Sequence, residues 1–300
     1  MRFHRLFLLL ILCSALLSGA QWNGHLFLWK VQKGTQTFYL FGTMHLADPA
    51  LQELPWGLKK IIDRCDGGVY TEVPMTQATR MKSAALMLRS DRRPLKALLP
   101  EPLYRRAQAY LEQLDPRLSV ARYERMKIWA FATTLASLEN QLKYPMLPAL
   151  DTVIYRYAKN RHRPVGGIET VEEQIAALDS FTRREQLLML EGTLDSLEKE
   201  KQFALEMKRL YLRGDAPQML SFIRRTMYAV PRYRSIEKKF MKRLLFDRNG
   251  RMAERVLALL QEHPKRRFFF AFGVMHFLGE KSVIEKLKHA GCRVTRVPHV

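Results

Sequence analysis

Two apolar runs near opposite ends of the chain share one pattern. The first, at 38–46, reads FYLFGTMHL, and the second, at 268–277, reads FFFAFGVMHF. Each contains a glycine that is followed three residues later by a histidine, His45 in the first run and His276 in the second. Because glycine lets the backbone turn sharply or be approached closely, each run predicts a buried strand with a histidine just past its end.

The remaining apolar residues predict short strands separated by long helical stretches. A helical stripe over 51–65 lies between two β-rich segments, which favours a strand–helix–strand crossover. Several prolines separate the predicted helices in the middle of the chain, and Gly214 predicts the end of the longest one. Further strands are expected at 26–31, 35–41, 69–73, 164–170 and 292–297. Helices are expected at 77–88, 101–114, 124–141, 149–160, 171–178, 183–213, 215–228, 235–246, 250–263 and 280–290.

Strands near both ends, with helices inserted between them, indicate an α/β fold. We expect a mixed central sheet with a large helical insertion that covers one side, in one domain over 21–300. In open α/β sheets, sites form at the carboxyl ends of the strands. The residues expected to converge at one sheet edge are therefore those that follow strands, namely His45, Glu72, Glu169 and His276.

The first 20 residues predict a secretory signal peptide. They combine a basic start, an apolar centre and small residues before Gln21. No later stretch reaches the ~18 apolar residues of a membrane span, so we expect an exported protein, periplasmic or secreted, without a transmembrane anchor. Cys65 and Cys292 could pair in an oxidising compartment, but two isolated cysteines favour free thiols over a disulfide.

The charge balance is strongly basic, with 50 Lys and Arg against 29 Asp and Glu and a net charge of +21. Such a charge attracts anionic surfaces, so phospholipid or polysaccharide is a candidate partner. The basic residues are spread over helical segments without a compact basic and aromatic motif. The pattern therefore predicts no specific binding of nucleic acid.

The two histidines and two glutamates suggest a metal site. Imidazole binds Mn, Co, Fe or Zn, and a carboxylate would complete a common hydrolytic site with one position left for water. Glu72 and Glu169 each end an apolar β segment, where an ionised carboxylate is costly without a nearby cation or donor. The alternatives are a turn cap for Glu72 and a favourable helix-dipole charge for Glu169.

Two other polar residues have weaker indications. Arg248 lies between two predicted helices and could stabilise an oxyanion, although a lone arginine is usually a surface ion pair. Asp151 falls in the first turn of its predicted helix and is interpreted as a dipole partner. The sequence contains no G-x-S-x-G elbow, H-E-x-x-H motif or Gly-rich phosphate loop, which argues against several common hydrolase and nucleotide-binding classes.

The paired G-x-x-H motifs, with Glu72 following the first, resemble the TraB/GumN superfamily and within it the TIKI metalloproteases. The resemblance extends through the segments at 148–151, 167–174, 247–249 and 268–279. It implies a fold similar to erythromycin-esterase and ChaN-like proteins. It also implies an exported protease that depends on Mn²⁺ or Co²⁺, with Zn²⁺ and Fe²⁺ as further options, and a protein or peptide substrate.

The sequence thus predicts a divalent-metal-dependent hydrolase, a metallopeptidase in which activated water attacks a carbonyl. His45, His276, Glu72 and Glu169 are the predicted ligands, and a glutamate that does not bind the metal tightly is the predicted general base. Arg248 is predicted to orient the reactants or to stabilise the oxyanion. Two alternatives stay open: an exported protein that binds a metal or an anionic ligand without turnover, and a metal-dependent esterase.

Overall fold

One mixed sheet forms the centre of the fold in the computed structural model, which describes residues 22, 25–197, 201–226, 230–297 and 299. The strands of this part of the chain are β1 (Leu28–Lys33), β2 (Gln36–Thr43), β3 (Gly68–Thr71), β4 (Val165–Gly167), β5 (Phe268–Gly273) and β6 (Arg293–Arg296). They lie in the order β4-β3-β5-β2-β1-β6.

Four neighbouring strands run parallel and end at the same edge of the sheet. β5 pairs in parallel with β2 on one side and with β3 on the other, and β3 pairs in parallel with β4. Gly42 lies opposite Phe272 in this register, so the two G-x-x-H motifs leave the sheet side by side. β1 is antiparallel to β2 and to β6. The predicted mixed sheet is confirmed.

Helices fill the connections, and most of them lie between β3 and β5, as the predicted helical insertion requires. Those before β4 are α1 (Trp56–Asp63), α2 (Gln77–Leu86), α3 (Glu101–Leu114), α4 (Ile128–Lys143) and α5 (Leu150–Asn160). Those after β4 are α6 (Val171–Asp179), α7 (Arg183–Leu197), α8 (Lys201–Leu212), α9 (Ala216–Thr226), α10 (Arg234–Met241), α11 (Asp247–Glu262) and α12 (Val283–His289).

The ends of α2 and α4 differ from the prediction for one shared reason. Leu88 and Met126 form an isolated antiparallel bridge, and Arg89 donates its backbone N–H to the carbonyl of Arg125 at 2.8 Å. Residues expected to extend α2 and to begin α4 therefore pair with each other. The single helix predicted at 183–213 is described as α7 and α8, and residues 198–200 lie outside the described part.

A second difference concerns Arg248, which was predicted to lie between two helices. α10 continues through a π-helical segment, Lys242–Phe246, directly into α11, so Arg248 lies within a continuous helix. Its Nη1 donates to the carbonyl of Leu244 at 3.0 Å, one turn earlier. Short π-helical segments inside α-helices are frequent at functional sites. The gap predicted at 247–249 is therefore wrong, because the sequence does not show the buried partners of this turn.

Two hydrophobic clusters support these elements. The first surrounds the sheet, where all six residues of β5 are buried. The second lies among α3, α4, α7 and α10 and contains the large buried side chains of Trp129, Phe131 and Tyr233. Each fully buried aromatic residue stabilises the fold by about 1.5–3 kcal/mol. The helical insertion thus has a core of its own beside the sheet.

The cysteines, the signal peptide and the absence of a membrane span were also predicted from the sequence. Cys65 and Cys292 are both free and buried, so the structure contains no disulfide between them. Burial raises the pKa of the Cys65 thiol to about 12. The predicted signal peptide at 1–20 lies outside the described residues. Among the helices that the structure describes, none has the length and apolar character needed to cross a membrane.

Candidate metal centre and pocket

Four parallel strands bring the predicted site residues to the same edge of the sheet. His45 lies two residues beyond β2, Glu72 directly follows β3, and His276 lies in the single 3₁₀ turn Val274–Phe277 after β5. Glu169 lies two residues beyond β4, on the far side of β3. All four predicted residues are therefore at the same sheet edge, as the parallel pairing requires.

The two imidazoles converge on a single carboxylate oxygen. The distance from Nε2 to Glu72 Oε1 is 3.3 Å for His45 and 3.5 Å for His276. The backbone N–H of Gly273 donates to the same oxygen at 2.7 Å. The side chains of Glu72 and His276 are almost completely buried, whereas that of His45 is 38% exposed. The cluster therefore opens to solvent on the His45 side.

The glycines of both motifs are required by close packing. A Cβ atom on Gly273 would lie 2.8 Å from Nε2 of His45 and 3.1 Å from Oε1 of Glu72. A Cβ atom on Gly42 would lie 2.9 Å from Cγ2 of Val274, in the turn that carries the other histidine. Any larger residue at either position would push into the cluster or separate the two motif segments.

Each imidazole is oriented by an acceptor at its other nitrogen. His45 Nδ1 lies 2.8 Å from Oδ2 of Asp151, whose other oxygen accepts from Thr43 Oγ1 at 2.6 Å. His276 Nδ1 lies 2.6 Å from Oδ1 of Asn249, whose amide nitrogen donates to the carbonyl of Lys281 at 2.8 Å. Asp151 is thus an anionic acceptor for His45. Because the amide nitrogen of Asn249 is bonded to Lys281, its oxygen is the atom that faces His276.

These acceptors fix the tautomer of each neutral ring. Both Nδ1 atoms must carry the proton, so each Nε2 presents a lone pair toward Glu72. Histidines that bind metals have this arrangement, in which the second nitrogen donates to a carboxylate or a carbonyl oxygen. Sequence reasoning missed Asp151 and Asn249 in this role. The available signal was that both lie in segments that carry the family resemblance, 148–151 and 247–249.

An ion network lies behind the cluster. Arg248 Nη2 donates to Oε2 of Glu72 at 2.5 Å and to Oε2 of Glu169 at 2.7 Å, and its Nε contacts both oxygens of Glu169. Gln174 also donates to Glu72, at 3.1 Å. The structure therefore places Glu169 against Arg248 and not against the imidazoles. Because Arg248 binds both carboxylates, Glu169 helps to fix the position of Arg248 and so of Glu72 Oε2.

The charges of the cluster follow from these contacts. Burial alone would raise the pKa of Glu72, but Arg248 and the two histidines hold it well below its usual range. Burial likewise opposes the charged form of His45, yet the carboxylates of Asp151 and Glu72 raise its pKa well above the ordinary value. His276 differs, because burial outweighs the attraction of Glu72 and lowers its pKa. In the absence of a metal, a proton on His45 therefore compensates the charge of Glu72.

The donor types of the cluster are ones that a divalent transition-metal ion accepts. Two ring lone pairs that face a carboxylate oxygen repel it unless a proton or a metal ion lies between them. Both Nε2 atoms lie 3.3–3.5 Å from the same oxygen of Glu72, so the three donor atoms border one space. Within the described ranges, no group of three or more His, Cys, Asp or Glu side chains is arranged so that it could hold a metal ion. The fit therefore concerns the donor types and not a preformed site.

A pocket of about 710 Å³, part of it open to solvent, adjoins the cluster. His45, Glu72, Arg248 and His276 all reach its wall. The rest of the wall is mostly apolar, with Met44 and Met275 from the motif segments and Phe240, Met241, Leu244 and Leu245 from the end of α10 and the π-helical segment. A ligand in this pocket would contact both an apolar surface and the imidazoles.

Comparison with known proteins identifies the family. The model of the TraB/PrgY/gumN family matches residues 27–296, which include both G-x-x-H motifs and the whole sheet. The chain belongs to the TraB/PrgY/gumN family. The recognition of this family from the paired motifs is therefore confirmed, and the two histidines of the site come from the motifs that carried it.

Curated relatives of this TraB/PrgY/gumN chain bear the name metalloprotease TIKI. It is 26% identical to metalloprotease TIKI1 of Danio rerio over 91% of the chain and 63% of that protein. It is 26% identical to the TIKI homolog of Nematostella vectensis, over 93% of the chain and 69% of that protein, and 24% identical to human TIKI1, over 91% and 62%. The chain thus spans about two thirds or less of the length of these relatives. No solved structure matches it, so the likeness to ChaN-like folds stays a prediction.

Proposed function

We propose that this protein is a divalent-metal-dependent hydrolase that cleaves peptide bonds. The observation that carries the proposal is the convergence of both Nε2 atoms on Glu72 Oε1, with each Nδ1 held by an acceptor. The names of the relatives support a peptide substrate, since they are metalloproteases. The pocket beside the cluster supplies a place for that substrate.

In the proposal, His45, His276 and Glu72 hold Mn²⁺ or Co²⁺, with Zn²⁺ and Fe²⁺ as further options. The metal would act as a Lewis acid that polarises the substrate carbonyl and makes a bound water more acidic. Asp151 and Asn249 keep the two lone pairs directed at one point, which reduces the reorganisation needed on binding. Open access on the His45 side leaves room for water and substrate.

Arg248 and Glu169 have two candidate tasks. Their bonds hold Glu72 ionised and fixed, which is a positioning role. The positive charge of Arg248 also reaches the pocket wall, where it would favour a developing oxyanion. The proton of the attacking water would go to a carboxylate that does not bind the metal tightly. Glu72 is a proposed ligand whose pKa is held well below its usual range, so Glu169, which lies beyond Arg248, is the remaining candidate for proton transfer.

Metal analysis and a peptide-cleavage assay test the proposal together. Wild-type protein is expected to bind about one equivalent of Mn²⁺ or Co²⁺ and to cleave members of a diverse peptide library only when loaded. His45→Ala and His276→Ala should each lose both properties while circular dichroism stays unchanged. His289→Ala, at an exposed site on α12, is the matched control and should retain both. A wild-type protein that binds no divalent metal under any loading condition would falsify the mechanism.

Two further variants separate the glutamates. Glu72→Gln should weaken metal binding and abolish cleavage, because it removes the shared anionic oxygen. Glu169→Gln should retain metal; loss of cleavage at full metal occupancy would assign it to catalysis, and retained cleavage would confine it to positioning. Cleavage of small esters but not of peptides would instead favour the esterase alternative. Metal bound tightly without turnover of any substrate would favour a binding protein.

We also propose that the protein is exported. The support is the pattern of residues 1–20, with its basic start, apolar centre and small residues before Gln21. Amino-terminal sequencing of protein recovered from a secreting host should begin at Gln21. A recovered protein that retains Met1 would contradict export by this route.

A further inference from the structure

Four methionines surround the approach to the histidine cluster. Met44 and Met275 directly precede the two site histidines, Met207 projects from α8, and Met241 ends α10. The chain contains 14 methionines, so more than a quarter of them lie in one pocket. Methionine is flexible and polarisable, and it is over-used at surfaces that bind varied apolar partners.

The polar side chains of the pocket wall are already engaged. Thr43 donates to Asp151, and Arg248 is bonded to Glu72, Glu169 and the carbonyl of Leu244. The two histidines and Glu72 belong to the proposed metal centre. A charged group that entered the apolar part of the pocket would therefore lose its hydration without gaining a partner.

The apolar wall lies directly beside the histidine cluster, in a pocket that is partly open to solvent. The wall from Phe240, Leu244 and Leu245 is built on the helix that also carries Arg248, so the apolar surface and the ion network share one rigid element. A residue bound there would lie beside His45 and His276, which line the same pocket.

We infer that this pocket binds the side chain of the substrate residue next to the cleaved bond, and that it selects a large apolar one. The inference rests on the proposed function and deepens it, because it names the substrate class. Flexible methionines adapt to different shapes, so leucine, methionine and phenylalanine should bind within a few fold of one another. Aspartate and lysine should bind at least about tenfold more weakly, since the charged groups of the wall are already paired, Arg248 with Glu72 and Glu169, and His45 with Asp151.

Methyl NMR tests the pocket without any turnover. The chain from residue 21 to 300, labelled at its methionine methyl groups and freed of metal, is titrated with N-acetyl-leucine amide, N-acetyl-aspartate amide and N-acetyl-lysine amide. The leucine probe should shift the methyl signals of Met44, Met207, Met241 and Met275. The exposed Met81 and Met146 serve as internal references and should not move.

A matched pair of variants keeps the inference testable. Met275→Gln places a polar group of similar length in the partly buried part of the wall and should weaken the leucine probe about fivefold or more. Met81→Gln makes the same change on the exposed face of α2 and should leave binding unchanged. Equal shifts with the leucine and aspartate probes, or shifts confined to Met81 and Met146, would overturn the inference.

The outcomes for the pocket and for the proposed function can be told apart. If the leucine probe binds but Mn²⁺-loaded protein cleaves no peptide, the pocket assignment stands and the hydrolase proposal fails. If the loaded protein cleaves peptides with aspartate and leucine at the scissile position equally well, the hydrolase proposal stands and the pocket assignment fails. Preferred cleavage beside apolar residues, reduced in Met275→Gln, supports both.

Discussion

Asp151→Asn is the most informative change at this site, because it removes a charge and keeps the shape. In the folded protein the two oxygens of Asp151 accept from His45 Nδ1 and from Thr43 Oγ1. The amide oxygen of an asparagine can still accept from the imidazole, and its NH₂ group can donate to the hydroxyl, which is both donor and acceptor. The geometry should therefore survive, while the imidazole loses its anionic partner.

The expected magnitude follows from the role of this contact. Loss of the partner that orients and polarises a metal-binding histidine typically costs 10–100-fold in metal affinity, or about 1.4–2.8 kcal/mol. Asp151 is almost completely buried and its bond to His45 is 2.8 Å long, but His45 is 38% exposed, so solvent partly screens the contact and we expect the middle of that range. A hydrogen bond to a charged group contributes about 1.5–3 kcal/mol, so the apo variant should also unfold at a lower temperature.

Competition with a fluorescent chelator measures the affinity for Mn²⁺ or Co²⁺, and thermal unfolding of the apo protein measures stability. Thr43→Val is the matched control. It removes the 2.6 Å bond to the same carboxylate but leaves the bond between Asp151 and His45. It should cost about 1 kcal/mol of stability and reduce metal affinity by less than threefold.

Two results would refute this reasoning. If Asp151→Asn leaves metal affinity within twofold of wild type, the Asp151–His45 contact does not prepare the ring for a metal. If Thr43→Val and Asp151→Asn weaken binding equally, the effect comes from disturbed packing around β2 and not from the lost charge.

Two further changes test other parts of the structure. Gly273→Ala would place a Cβ 2.8 Å from His45 Nε2, so it should weaken metal binding at least about tenfold. Gly250→Ala, on α11, would place its Cβ 4.0 Å from the flexible Lys286 Nζ, so it should leave binding intact and raise stability by about 0.5–1 kcal/mol. Equal effects of the two changes on metal binding would contradict the steric explanation. Glu173 caps α6 and forms an ion pair with Arg255. This pairing lowers the pKa of the Glu173 carboxyl from 4.5 to about 2. Its ionised form therefore stabilises the fold above about pH 4.5, and this contribution is lost as the pH falls toward 2. In urea unfolding, the free energy of unfolding of Glu173→Gln should be about 1 kcal/mol below that of wild type at pH 7, and the difference should be smaller at pH 3. An equal difference at both pH values would exclude a contribution from ionised Glu173.

The elements of the fold were predictable where the local signal was strong. α3 has the predicted bounds of 101–114, and β5 lies within the apolar run at 268–277 that was predicted to be a buried strand. The predictions failed where a long-range contact decided the outcome. The pairing of Leu88 with Met126 shortened α2 and α4, and the π-helical segment joined two predicted helices into one. Neither feature has a signature in the residues that adopt it.

The residues that carry the candidate chemistry were visible in the sequence, but their partners were not. His45, His276, Glu72, Glu169 and Arg248 were all singled out by motif and strand context, and all reach one sheet edge. Asp151 was interpreted as a dipole partner in the first turn of its helix, and Asn249 fell in the gap predicted between two helices, so neither was assigned to a histidine. Only the packing of those helices against the sheet brings their oxygens within 2.8 Å of the histidines.

The sequence alone determined which side chains could bind a metal and that strands would deliver them, because strand period and glycine position are local properties. The tertiary structure decided what each side chain does. The strand order β3-β5-β2 places Glu72 and both imidazoles around one point. Because β4 is the outermost strand on that side, Glu169 lies farther away and binds Arg248 instead. Strand order depends on how the whole chain packs, and so no local pattern could assign these two glutamates to different partners.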